Sequence, residues 1–208
     1  LEAARALPGA TAVTARARAQ VLLAMGSHVL PLEMVGVDPE NEPRTFRFVR
    51  HMAQGRYLQP GDRGAIVLGK AGADRLQAEL GDEVLATAVG KGGRIEAAMF
   101  RIVGIVATGS EDVDASIGQV TLADLEGLTG LRGPGEVTVI LADYRAAQAS
   151  RDRLASRLGG KDEVLTWGEI SPEFAGHLQQ DAATSRLVRW IILLIAFLGV
   201  ASAQLAAV

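Results

Sequence analysis

The chain has 208 residues and a mass of 21.8 kDa, enough for one large domain or two small ones. Its 21 Lys and Arg stand against 24 Asp and Glu, a formal net charge of −3 that offers no basic footprint for nucleic acid. The absence of Cys excludes a disulfide framework, thiolate metal sites and a cysteine nucleophile, and an apolar share of 49% with only 4% aromatic predicts a core of aliphatic and small side chains.

The first residue is Leu rather than Met, and no basic segment followed by an apolar one opens the chain, so either a piece cut from a longer protein or the removal of something upstream is expected. Leu1 to Leu7 reads as a short helix stopped by Pro8-Gly9. From Thr11 to Leu22 the sequence alternates. Val13, Ala15, Ala17, Ala19 and Val21 fall on one side, and Thr14, Arg16, Arg18 and Gln20 on the other, the period of a half-buried strand. Gly26-Ser27 marks a turn, and Val29 to Val37 returns as a second strand ending at Asp38-Pro39.

The stretch from Gly55 to about Gly133 is punctuated by glycine and mostly strand-like. Strands are expected at Ala65–Leu68, Glu83–Val89 and Ile95–Val106, with a helix over Ala71–Leu80. A strand from Gly118 precedes a short helix over Leu122–Leu128. Val137–Leu141 is an apolar strand, after which Asp143 is expected to cap a helix from Tyr144 to Leu158, closed by Gly159-Gly160. Val164–Trp167 reads as one more strand. Ser171-Pro172-Glu173 then starts a helix that can run unbroken toward the C-terminus. Strand–helix–strand at the ends around a β-rich middle predicts an α+β chain of two subdomains.

From Trp190 to Val208 no residue is charged. A helix of that length rises about 28 Å, close to the hydrocarbon thickness of a bilayer, so a membrane span is expected rather than a buried core helix. Arg186, Arg189 and Trp190 stand at its start, where such side chains favour the interface. Gly199 and Ala203, four apart, share a face that a second helix can approach closely, although small residues are also tolerated in such helices for no further reason. Further membrane helices are expected to follow in the parent protein. Two arginines before the span do not fix its orientation, because long domains cross regardless of charge.

The sequence offers little chemistry. His28, His51 and His177 lie far apart and outside any metal-ligand spacing. No G-x-S-x-G elbow occurs. Gly69-Lys70 and Gly90-Lys91 are followed by Ala71 and Gly92 where a phosphate loop needs Ser or Thr, and both read as turns. Glu111-Asp112-Val113-Asp114 lacks the Gly and distal Glu of a calcium loop and reads as a solvated loop. Arg151, Arg153 and Arg157 read as the solvated face of their helix. No catalytic, cofactor-binding or metal-binding residue is assigned, and an envelope enzyme using dispersed groups such as His28 or Asp112 is the remotest of the readings.

Several strings taken together resemble a known family. Val35-Gly36-Val37-Asp38-Pro39 is similar to the GIDP element of lipoprotein-releasing-type permeases. Gly55-Arg56-Tyr57-Leu58, Ala65-Ile66-Val67-Leu68-Gly69 and Leu80-Gly81-Asp82-Glu83-Val84 follow in that family's order. Phe100 to Val106, with Thr108-Gly109 and Asp112 after it, and Thr166-Trp167 before an apolar span complete the likeness. The chain resembles the extracytoplasmic, MacB-like periplasmic domain of an FtsX-like ABC transporter permease, closest to the LolC/LolE type, over about Thr11 to Val208. It departs from the family at Gly199-Val200-Ala201-Ser202, where an Asn-Thr-like pair is usual after the Gly.

The resemblance implies a porter-like α/β subdomain made from residues 1–50 and 134–170, an inserted β-rich subdomain over 51–133, a stalk helix over 171–189 and a transmembrane helix over 190–208. It implies a non-enzymatic permease subunit in the inner membrane, with its main domain periplasmic. ATP and Mg would be bound by a partner, a cytoplasmic ABC ATPase. A second permease subunit, identical or different, membrane lipid and a lipoprotein or other periplasmic partner are the further partners implied, and nucleic acid is not one. The function implied is mechanotransmission, with ATP hydrolysis inside driving extraction or export of an amphiphilic cargo outside. The rival reading within the same architecture is a signalling scaffold that activates envelope or cell-wall enzymes without transport.

Overall fold

The structure is a computed structural model that describes residues 1–160 and 162–170. By contacts the chain divides into two units, Leu1–Tyr144 and Arg145–Val208. The first unit holds the eight strands found among the described residues. They are β1 (Ala10–Met25), β2 (His28–Val37), β3 (Met52–Gly55), β4 (Ala65–Gly69), β5 (Glu83–Val89), β6 (Ile95–Val106), β7 (Gly118–Thr121) and β8 (Glu136–Leu141). Its helices are α1 (Glu2–Arg5), α2 (Glu42–Thr45), α3 (Lys70–Leu76), α4 (Glu111–Ser116) and α5 (Leu122–Thr129).

β1 and β2 form a hairpin in which Met25 pairs with His28, so Gly26-Ser27 is a two-residue turn. Gly26 supplies the positive φ, +57°, that such turns need. Following the pairings onward closes a circle. β2 runs parallel to β7, β7 antiparallel to β4, β4 parallel to β6, β6 antiparallel to β5, and β5 antiparallel to β1. Six strands therefore make a closed ring, which leaves none of them a free edge there. β3 attaches to β6 outside the ring. β1 is long enough to belong to two ladders on one side: its Val21–Ala24 pairs with β5, and its earlier Ala10–Arg16 pairs with β8.

The ring's interior is the main core. Alternation puts Val21 and Leu23 of β1, Leu30, Leu32 and Met34 of β2, and Val84 and Ala86 of β5 inside. Leu76 of α3 and Leu125 and Leu128 of α5 join them. A smaller cluster lies on the outer face, where Leu58, with Phe48 and Tyr57, covers Val37, Val67 and Val106. The core is aliphatic, as the composition implies. α5 starts at Thr121, whose hydroxyl accepts from the Asp124 N–H at 3.1 Å, and stops at Gly130 in the left-handed region.

In the second unit α6 (Ala147–Leu158) follows a 3-10 turn over Tyr144–Ala146 and ends at Gly159, φ +63°. Helical structure thus starts at Tyr144 as a 3-10 turn and becomes α-helix at Ala147. The strand expected at Val164–Trp167 is absent, and α7 (Trp167–Ile170) starts there instead. Thr166 and Glu169 explain the difference: the Glu169 carboxylate accepts from the Thr166 N–H at 2.7 Å and from its hydroxyl at 2.9 Å, the returning half of a capping box. Among the described residues no helix is long and apolar enough to cross a membrane. The stalk expected at 171–189 and the span expected at 190–208 lie outside the described residues.

Candidate functional site

The outward side of β1 carries Thr14, Arg16 and Arg18. Beyond β2 the chain folds back over this side, held at the turn by Asp38, whose carboxylate accepts from the Glu40 N–H at 3.1 Å and the Asn41 amide at 2.7 Å. This brings Glu42, in the first turn of α2, onto Arg16. Glu42 is 0% exposed and Arg16 is 7% exposed.

The carboxylate is satisfied from several sides. One oxygen accepts from Arg16 Nε at 2.9 Å and from Arg16 Nη2, and lies 3.5 Å from the Gln119 amide. The other accepts from the Thr14 hydroxyl at 3.0 Å. Tyr57 donates to Gln119 Oε1 at 2.7 Å, and the Phe46 ring stacks on the Arg16 guanidinium at 3.4 Å. Burial, and secondarily the Glu42 charge, push the Tyr57 phenol well above its ordinary range, while the Arg16 charge opposes this. Tyr57 therefore stays a neutral donor at all ordinary pH.

Beside this cluster opens a cleft of about 370 Å³, lined by Arg16, Arg18, Glu33, Val35, Phe48 and Gln119 among others. Arg18 bridges Glu33 at 2.8 Å and Glu136 at 3.0 Å, and the Glu33 bond does most to raise its pKa. A second cleft, about 510 Å³, includes Lys70 and Asp74, which pair with each other at 2.8 Å. In the first cleft Ser116 donates to the Val113 carbonyl at 2.8 Å. Among the described residues no group of three His, Cys, Asp or Glu could hold a metal ion. What the cluster does chemically is fix one segment, residues 38–57, against the ring.

Glu111–Asp114 lies in α4 rather than in a loop, with Glu111, Asp112 and Val113 exposed. Asp114 is buried and accepts from the Thr108 N–H at 2.8 Å and its hydroxyl at 2.7 Å. Gly69 faces its backbone: a Cβ there would lie 2.0 Å from the Asp114 carbonyl oxygen. The Gly69-Lys70 step is thus a close approach between β4 and α4, which accounts for the glycine without any phosphate. His28 is half-buried on β2 and His51 is exposed. Arg186, Arg189, Trp190, Gly199 and Ala203, the residues expected at and within the span, lie outside the described residues, as does His177.

Sequence reasoning missed the Arg16–Glu42 pair. Alternation placed Arg16 on a polar, solvated side, and nothing in Asn41-Glu42-Pro43 points to a partner 26 positions earlier. Tyr57 entered the reading only within the Gly55–Leu58 string.

This is a mixed α/β domain built on one extensive sheet, with a buried polar cluster on its outer side. Residues 1–157 match the MacB-like periplasmic core domain, and the chain belongs to that family. Among solved structures it is similar to the extracellular domain of the noncanonic ABC-type transporter YknZ from Gram-positive bacteria, at 17% identity and TM-score 0.59, covering 79% of this chain and 86% of that one. A domain of a candidate permease protein from Porphyromonas gingivalis matches at 11% identity and TM-score 0.44, over 73% of this chain and 72% of that one. No curated protein matches the chain. The likeness to the YknZ domain is one of fold.

Proposed function

We propose that this chain is the extracytoplasmic part of a non-enzymatic ABC transporter permease subunit that couples cytoplasmic ATP hydrolysis to extraction or export of an amphiphilic cargo. The match of residues 1–157 to the MacB-like periplasmic core domain is the observation that carries this reading. The cargo class, a lipoprotein, lipid or hydrophobic compound, follows the sequence likeness to LolC/LolE-type permeases. ATP and Mg then belong to a partner ABC ATPase, and a second permease subunit completes the pair. The chain sits at the inner membrane, with Arg186, Arg189 and Trp190 at the interface and residues 190–208 across the bilayer.

Mechanotransmission through a continuous helix from Ser171 onward is the coupling device. Its test is a flexible Gly-rich insertion near Thr184 in the full-length permease, reconstituted with its ATPase in proteoliposomes. ATP hydrolysis should persist while cargo release is lost. Release that survives the insertion overturns the coupling device, and a permease that recruits no ATPase overturns the reading as a whole.

A further inference from the structure

Four neighbouring strands of the ring, β2, β1, β5 and β6, leave an apolar face turned to solvent. The register sets it out in rows: Val29 opposite Ala24, Ala24 opposite Leu85 and Leu85 opposite Met99; then Pro31, Leu22, Thr87 and Ala97 in the next row. Val89 opposite Ile95 continues it. Ile95 is 76% exposed and Met99 51% exposed, on strands whose alternate residues fill the core.

The relief of this face is not uniform. Ala24, Thr87 and Ala97 are small, with Thr87 one row beyond Ala24 on the neighbouring strand and directly opposite Ala97 on β6. Leu85 and Met99 stand on one side of that line, and Leu22, Val89 and Ile95 on the other. The result is a shallow aliphatic trough crossing three strands, about 10 Å at the usual strand spacing.

Charge and size say what it fits. Most charge at its margins is paired, Glu83 with Arg101 at 2.9 Å, Arg94 with Glu96 at 3.6 Å and Glu33 with Arg18 at 2.8 Å, and Lys91 stands in the turn between Val89 and Ile95, so the rim carries little net charge. The face has about ten side chains, where a stable protein interface takes roughly 20–30 a side, and it lacks the aromatic anchors that such interfaces concentrate. We propose that this trough is a docking surface for the hydrocarbon tail of an amphiphile, bound on the outer face of the β1–β5–β6 sheet. The inference rests on the proposed reading of an amphiphilic cargo and adds the place on the chain where the tail lies.

The test uses full-length protein in lipid nanodiscs, with palmitate carrying a photoactivatable diazirine near its tail end as the probe. Photolysis followed by peptide mass spectrometry should place the label within residues 20–31 and 83–101, with unlabelled palmitate competing. Leu85→Glu should lower labelling about tenfold, the equivalent of one to two buried methylenes. Ala97→Trp keeps the face apolar but fills the trough, and should lower labelling as well. Label found elsewhere, or undiminished in Ala97→Trp, overturns the proposal. So does equal labelling of the same segments by a diazirine phospholipid of the nanodisc, which would mean bilayer contact. A shift in oligomeric state on Leu85→Glu would assign the face to a second copy and also overturn it. Cargo release that persists while the label misses the trough sinks only the trough, whereas a permease that recruits no ATPase sinks the reading beneath it.

Discussion

Glu42 and Arg16 are a buried ion pair whose partners are nearly all supplied by one another and by Thr14 and Gln119. Two charges out of water recover their desolvation only through such geometry, so removing one partner is far more damaging than removing both. Glu42→Leu leaves the guanidinium buried without a counter-charge and should lower Tm by about 10 °C, for a cost of about 3–5 kcal/mol. Arg16→Met combined with Glu42→Leu should regain most of that, as read by thermal denaturation followed by circular dichroism. Asp62 acts differently. Its carboxylate accepts from Arg56 at 2.7 Å and 3.0 Å and from the Gln59 N–H at 2.9 Å, and the Arg56 hydrogen bond above all holds it below the usual carboxylate range. Its folded pKa therefore lies below its unfolded one, so its contribution is complete above roughly pH 5 and fades as pH falls through the lowered value, the unfolded chain taking up the proton first. The urea midpoints of the natural chain and Asp62→Asn should accordingly differ at neutral pH and converge in acid.

Among the elements, glycines separate into those that hold a close approach and those that do not. Gly69→Ala puts a methyl 2.0 Å from a backbone oxygen of Asp114, where no side-chain rotation relieves it, and should destabilise by about 1–3 kcal/mol or more. Gly127→Ala lies within α5 with nothing within 4 Å of the new methyl, and should stabilise by about 0.5–1 kcal/mol. Opposite shifts of the denaturation midpoint in the two variants are the expected outcome. The strands were the most legible part of the sequence. β5 and β6 have the bounds that their patterns predict, because glycine and charge punctuate both ends. α4 was hidden because an acidic string reads as solvated unless one knows that Thr108 donates to the Asp114 carboxylate. The Val164–Trp167 strand failed because Thr166 and Glu169, three apart, start a helix instead. Burial was the least legible property: Arg16 and Leu22 both face outward on β1, yet the arginine is covered and the leucine is exposed. Period two assigns a side, and only the rest of the fold decides what covers it.

At the scale of the whole molecule, the ring depends on pairings that no local pattern announces. β1 meets β5 more than sixty positions later, and β2 meets β7 more than eighty positions later. Strands from the segment expected as 1–50 and from 51–133 thereby share one sheet. β8 enters by another route, antiparallel to the first part of β1, with Glu136 opposite Arg16 and Leu141 opposite Ala10. Under the coupling proposed above, tension has a defined path. A pull arriving from the residues after Leu141 meets the β1–β8 ladder first. Drawn along the strand axis it loads those rungs together, while drawn sideways it opens them one by one, starting at Leu141. Behind the ladder the connection from α5 passes through Gly130, Gly133 and Gly135, with the Gly133 N–H held by the Glu126 carboxylate at 2.6 Å. The ring's own pairings are loaded only once that ladder parts, so its trough keeps its shape while the traction builds, whereas Thr14 and Arg16 of the polar cluster, opposite Thr138 and Glu136, lie on the ladder itself.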